Sequence, residues 1–99
     1  MIPKRYEVDA RWWLAEIRSM PCVVCGKPRS DPHHLYHIRW RDDYAVNLCR
    51  GCHRSRHDAA DKIQWEQTNG VDLAHHLLKF LTPLFEKRCA ERGILFTFE

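Results

Sequence analysis

The sequence predicts a small α+β domain in which a stapled core of hairpin and helix carries flanking N- and C-terminal helices. Three observations predict it. Two Cys-x-x-Cys pairs, Cys22/Cys25 and Cys49/Cys52, bracket a stretch rich in strand formers. Amphipathic spacing marks helices on either side of that stretch. The 99 residues make one domain, with a core at 22–57 and a C-terminal helical extension at 58–99, and are too few to bury a large apolar core without a staple.

Taken in order, Trp13, Ile17 and Met20 recur at helical spacing after Asp9, which is placed to cap the first turn, and Pro21 ends that helix. Cys22-Val23-Val24-Cys25-Gly26 is a tight knuckle whose glycine can take a left-handed backbone. Asp31-Pro32 reads as a turn. Leu35, Tyr36, Ile38, Trp40, Tyr44 and Val46 are strand formers around a polar Arg41-Asp42-Asp43 connection, which predicts a hairpin. Cys49-Arg50-Gly51-Cys52 is a second knuckle, and from His53 the chain reads as helical up to Gly70. Asp72 then caps a helix whose face is Leu73, Leu77, Phe80 and Leu81, and Thr82-Pro83 restarts a helix that Gly93 stops. The apolar tail 94–98 reads as an edge strand or a packed end.

With 44% hydrophobic and 29% charged residues the composition is that of a soluble globular chain and excludes a disordered or collagen-like one. The residues 1–7 have no apolar signal-peptide core, and the apolar run 77–85 is interrupted by Lys79 and Pro83, far short of a membrane span. The expected compartment is therefore the cytoplasm, with no membrane partner. Net charge is +3, split as +5 over residues 1–57 and −2 over 58–99, which suits a polyanionic partner on the N-terminal half.

Five cysteines without a secretion signal argue for reduced thiolates and not for a disulfide framework. Two knuckles bring four sulfurs to the corners of a tetrahedron, so Cys22, Cys25, Cys49 and Cys52 are expected to hold a structural Zn²⁺ in a ribbon-like or treble-clef-like scaffold. Cys89 reads as a buried small residue. The histidines gather where the knuckles bring the chain together. His33 and His34 precede the second knuckle, His53 follows its last cysteine, and His57 lies one helical turn further on. Imidazoles from His33, His53 and His57 can hold a second divalent ion, while His34, on the opposite face of its strand from His33, stays free as a base. A base and a cation beside a phosphate are what phosphodiester hydrolysis needs. Arg39, Arg41, Arg54 and Arg56 lie beside these histidines as candidate phosphate contacts, with Lys27, Arg29 and Arg50 nearby. His37, His75 and His76 read as ordinary structural or surface residues, and the four tryptophans as core before stacking platforms.

Cys22-Val-Val-Cys-Gly26, Asp31-Pro-His-His-Leu35 and Asn47-Leu-Cys-Arg-Gly-Cys-His-Arg-Ser-Arg-His57 together resemble the HNH nucleases of the ββα-metal (His-Me finger) superfamily. Within them the chain is similar to the small phage-type group of recombination-enhancing nucleases, the Ref group. That group shares Cys-x-x-Cys-Gly, Asp-x-His-His, Leu-Cys-x-x-His-His or Leu-Cys-x-x-Cys-His, and a histidine four residues on, and the segment 65–72 with its following helix is similar to the group's C-terminal extension. The resemblance implies His34 as general base and His33, His53 and His57 as ligands of the catalytic ion. Many HNH proteins carry their asparagine nine residues before the Cys-adjacent histidine, where this chain has Tyr44; Asn47, six before, is the candidate orienting residue, with Asp43 and Asp31 as alternatives.

The expected function is that of a metal-dependent DNA endonuclease or nickase, phage- or prophage-encoded. Its catalytic ion would be magnesium, manganese, nickel or zinc, and an all-imidazole set favours the last three. DNA is the expected partner, with a homodimer or a recombination protein as further ones. The competing expectation is a non-catalytic, zinc-stabilised module that binds nucleic acid or assists recombination.

Overall fold

The fold is that of a computed structural model, which describes residues 8–35 and 38–94. It is a small mixed α+β arrangement. Helix α1 (Arg11–Ser19) is followed by strand β1 (Asp31–His34), a 3₁₀ turn (Asp42–Tyr44), strand β2 (Ala45–Leu48), and helices α2 (Arg50–Asp58) and α3 (Lys62–Thr68). A last helical rod comprises α4 (Leu73–His76), a π turn (Leu77–Leu81) and α5 (Thr82–Arg92). The expected strand formers Tyr36 and His37, the N-terminal residues 1–7 and the tail from Leu95 onward lie outside the described residues. Among the described residues no helix is long and apolar enough to cross a membrane.

Helix α1 buries Trp13 and Ile17, four residues apart, as its spacing predicts. Its N-cap is Ala10, with no side-chain cap; exposed Asp9 leans toward Arg11 instead, and the Ala10 N–H donates to Asp42 Oδ2 at 2.7 Å. A hairpin forms, but not from the expected strand formers: its strands are Asp31–His34 and Ala45–Leu48, so Asp31-Pro32 is strand and not turn, and of the described strand formers only Val46 lies in a strand, while Leu35, Ile38, Trp40 and Tyr44 belong to the connection. In a two-stranded sheet both strands are edges, and an edge tolerates the missing proline N–H. The pairing is antiparallel, with Pro32 opposite Asn47, His33 opposite Val46 and His34 opposite Ala45. Because side chains alternate along a strand, His33 and His34 leave on opposite faces.

The helical stretch expected from His53 to Gly70 is two helices. Asp61 accepts from the Gln64 N–H and starts α3, an Asp-x-x-Gln capping pattern that outweighs propensity at this point. The opposite occurs at Thr82-Pro83, where the rod runs through. Pro83 has no N–H to give, and the turn just before it widens, so that the Thr82 N–H reaches Leu77 O. Leu73, Leu77, Leu81, Phe85 and Cys89 are all buried along the rod. A four-residue spacing drifts by about 40° per step on a 3.6-residue helix, and the π turn takes up part of that drift. Phe80, expected on this stripe, is 63% exposed, one residue off the buried spacing.

The stripe packs on Trp13, Ile17, Val46 and Leu48 to make one core. Each such side chain contributes about 1.5–3 kcal/mol on burial. Trp13 and Trp12 both meet the Phe85 ring, edge-on at 5.4 Å and stacked at 5.7 Å, which fixes α5 against α1. Glu16 accepts from Arg88 at 3.0 Å across the same contact.

His76 is a structural residue and not a surface one: its Nε2 lies 2.8 Å from Asn47 Oδ1 on β2, and burial, then the neighbouring His75, pushes its imidazole below the ordinary 6.5. The unfolded chain therefore takes up this proton first, so the stability from neutral His76 is present above about pH 6.5 and lost as pH falls through it. His76→Gln keeps a donor for Asn47. In urea titrations across pH 5–8 the wild type should lose more stability below about pH 6.5 than the variant, and parallel pH curves would contradict this.

Candidate functional site

The two knuckles meet at one corner of the sheet. Gly26, at φ 77°, closes the first, with the Gly26 N–H on Cys22 O and the Cys22 N–H on Lys27 O, both 2.9 Å. The Val23 N–H binds Asn47 O at 2.9 Å and so ties this knuckle to β2. The second knuckle is the start of α2 itself: Cys49 is its N-cap and accepts from the Cys52 N–H at 3.4 Å. All four ligand sulfurs lie within 4.8 Å of one another, and Cys25 Sγ and Cys49 Sγ are 3.6 Å apart. Four sulfurs at 2.3 Å from one ion would be about 3.8 Å apart, so this donor set fits a metal ion as the spacing predicted.

The thiols respond to that crowding. Burial pushes the Cys22 thiol up, but the backbone N–H groups of Cys25, Cys49 and Val24 prevail and bring it down to about 6. Cys52 is pushed well up, by burial first and then by the sulfurs of Cys49, Cys22 and Cys25. Sulfurs this close share protons unless a cation takes their place. Cys89, by contrast, is a buried thiol raised by burial and then by Asp43 and Glu86, which makes it inert packing, as expected.

The histidines open on a cleft of about 280 Å³ lined by Pro32, His33, His34, Arg39, His53 and His57. His33, 9% exposed, sets its Nδ1 2.8 Å from His53 Nε2. Burial pushes His53 below 6.5, outweighing Asp31, and the charges of His57 and Arg56 add to it. His57 stands one turn along α2 with its side chain 66% exposed at the rim, its Nδ1 3.4 Å from Asp58. Among the described residues, no three histidines bring their donors as close together as the cysteines do.

His34 leaves the opposite face of β1 and places Nε2 3.0 Å from Asp42 Oδ1. Asp42 is 8% exposed, and its other oxygen accepts from Ala10 N–H, so the carboxylate is held at both ends. A carboxylate only accepts, so neutral His34 donates Nε2–H and keeps a lone pair on Nδ1. Asp42 is the partner that sequence reasoning missed. Of the alternatives, Asp43 is taken by Arg41 in a two-point pair at 2.8 and 2.7 Å, and Asp31 lies 3.8 Å from Arg50. Asn47 does not reach the histidine cleft's base either. Its Nδ2 donates to Pro21 O at 2.8 Å and its Oδ1 faces His76, so it braces the first knuckle instead.

The arginines divide. Arg39 and Arg54 are exposed beside the histidines. Arg41 and Arg56 are largely buried in ion pairs, because each has a carboxylate partner that local geometry presents to it. Arg56 Nη1 lies 3.2 Å from His33 Nε2 and Nη2 3.1 Å from Glu66 Oε2. Arginine always donates, so His33 Nε2 accepts and its Nδ1–H points to His53. Glu66 Oε1 accepts from the Leu73 N–H at 2.7 Å. Glu66 thus joins the C-terminal rod to the histidine pair, a link with no local signal in the sequence because it needs the α2–α3 turn to form.

A family model described as "Protein of unknown function (DUF968)" matches residues 1–84, which take in both knuckles and every residue of the histidine cleft. The chain belongs to this family. The uncharacterized protein YdfU of Escherichia coli (strain K12) is 31% identical over 84 residues, covering 73% of this chain and 22% of YdfU. The chain thus spans about a fifth of that curated relative's length. No solved structure matches.

The two linkages separate by mutation. Cys49→Ser should abolish metal retention by elemental analysis and the cooperative thermal transition together. Glu66→Gln should keep the metal and lose about 1–3 kcal/mol in denaturant titration. A Cys49→Ser chain as stable as wild type would remove the clamp from the fold's foundation.

Proposed function

We propose that this chain is a metal-dependent DNA endonuclease or nickase of HNH type, of phage or prophage origin. In this reading β1, β2 and α2 form a ββα-metal core braced by zinc on Cys22, Cys25, Cys49 and Cys52. The observation that carries it is the His34–Asp42 pair standing at a cleft that also gathers His33, His53 and His57. A buried, doubly anchored carboxylate behind a histidine fixes one tautomer and supports the charge that the ring acquires as a base.

His34 Nδ1 takes a proton from water as the water oxygen bonds to phosphorus, and the bond from phosphorus to the leaving sugar oxygen breaks. Asp42 holds the ring through Nε2 and stabilises the imidazolium. His53 Nε2 and His33 Nδ1, 2.8 Å apart, would hold a divalent ion once the His33 proton moves from Nδ1 to Nε2 and Arg56 turns away from that nitrogen, with His57 swinging in from the rim. Such an ion, nickel, manganese, zinc or magnesium, supplies charge stabilisation at the phosphoryl group and leaving oxygen. Imidazole donors favour the first three. With Arg41 and Arg56 committed to ion pairs, phosphate contact near the cleft falls to Arg39 and Arg54. One cleft per chain cuts one strand at a time, so a double-strand break requires a homodimer or two successive nicks.

Nicking of supercoiled plasmid, abolished by EDTA and restored by manganese or nickel, tests the reading. His34→Ala should keep its fold and metal and lose about 10²–10⁴-fold in rate. Asp42→Asn should lose about 10–100-fold. Nicking that survives His34→Ala in a pure preparation sinks the assignment, and DNA binding without any nicking by the wild type supports the non-catalytic module instead.

A further inference from the structure

The histidine cleft is one stretch of a longer trough. On one side Arg39 also lines a hollow with Arg11, Trp40 and Asp9. On the other, His53 and His57 also line a groove with Arg50, Arg54, Asp31 and Asp58, and Arg50 and Asp31 continue it into a hollow with Arg18, Arg29 and Ser30. Each hollow shares lining residues with the next, so the four adjoin in a row from the start of α1, past the histidines, to the end of α1 and the loop after the first knuckle.

Six arginines border it, and all six are exposed. Arg18, Arg29, Arg39 and Arg54 have no ion-pair partner among the described residues. Arg11 and Arg50 have only loose, exposed contacts, 3.9 Å to Asp9 and 3.8 Å to Asp31. The carboxylates in the trough are Asp9, Asp31 and Asp58, besides Asp42, which His34 and Ala10 already engage. Six arginines against four aspartates leave the border net positive, with the excess at the histidines and above all in the hollow of Arg18, Arg29 and Arg50, where Asp31 is the one carboxylate. Arg29 holds a left-handed backbone, φ 70°, which its side chain adopts at a conformational cost.

We propose that this trough seats the sugar-phosphate backbone of a DNA strand, with Arg18, Arg29 and Arg50 as anchors remote from the histidines. The inference rests on the nuclease reading for the placement of one phosphate at the cleft. Charge alone would suit an acidic peptide as well. Trp40, 40% exposed in the Arg11–Arg39 hollow, adds an aromatic surface on which a base can stack, a contact that the carboxylates of an acidic peptide do not make. Arginine forks match phosphate oxygens in two-point contacts.

The test uses the full chain carrying His34→Ala, with fluorescein-labelled single- and double-stranded oligonucleotides and anisotropy read across potassium chloride concentrations. Each phosphate contact contributes about 0.9 to the slope of log affinity against log salt on duplex and about 0.7 on single strands. Replacing Arg18, Arg29 and Arg50 together by Ala should therefore flatten the slope by about 2–3 and weaken binding at low salt by about 10–100-fold. Replacement by Lys should restore most of both, which an unfolded variant would not do. An unchanged slope and affinity, or no binding by the parent at low salt, overturns the proposal. Plasmid nicking with His34 intact reads the other claim. Normal nicking alongside unchanged binding overturns the trough alone, whereas arginine-dependent binding without nicking upholds the trough and overturns the catalytic reading.

Discussion

Four sulfurs drawn within 4.8 Å of one another are the constraint on which the rest of this structure depends. Two of them sit on a turn after α1 and two on the opening of α2, so closing the cluster joins the N-terminal helix, β2 and α2 at one corner. That corner sets the direction of α2 and hence where His53 and His57 emerge, while the pairing of β1 with β2 brings His33 to meet them. Helix α2 has no fully buried residue of its own, so packing alone would hold it weakly. A metal ion at the cluster would supply, through ligand bonds, the stability that a chain this short cannot draw from apolar burial.

The histidine cleft is organised by a different kind of force. Its geometry is set by directional hydrogen bonds on two carboxylates: Asp42 between Ala10 and His34, and Glu66 between Arg56 and Leu73. Each carboxylate uses both oxygens and each spans two elements distant in sequence. The N-terminal segment therefore braces the proposed base, and the C-terminal rod braces the proposed ligand pair. A core extending only from the first knuckle to His57 would lack both braces, which gives the flanking helices a task beyond packing.

Features carried by spacing were legible in the sequence, and features carried by long-range pairing were not. The cysteine spacing foretold the cluster, strand alternation foretold the opposite faces of His33 and His34, and four-residue spacing foretold Trp13 and Ile17 on one side of α1. Asp61 could have been found, since Asp-x-x-Gln is a local capping signal. Asp42 was half visible: of two adjacent aspartates, Asp43 lies two residues from Arg41 and pairs with it, which leaves Asp42 for the histidine. Nothing local placed Asn47 against His76 or Glu66 against Arg56, since the first contact exists only once the rod has folded back across the sheet and the second only once the α2–α3 turn has formed. Ion pairs with Asp43 and Glu66 turn Arg41 and Arg56 inward, so the basic surface is drawn by exposed residues such as Arg18 and Arg50 that the motif does not single out.

In the proposed function the clamp and the histidine cleft are two sites with different donors and different tasks, and X-ray absorption at the zinc edge addresses that division directly. With one equivalent of zinc per chain, a shell of four sulfurs at about 2.3 Å and no nitrogen is expected. With a second equivalent, a nitrogen and oxygen shell at about 2.0–2.1 Å should appear beside the first. A first equivalent that already shows mixed sulfur and nitrogen ligation would contradict that division, because the histidines would then belong to the clamp and no separate site would be left for the chemistry.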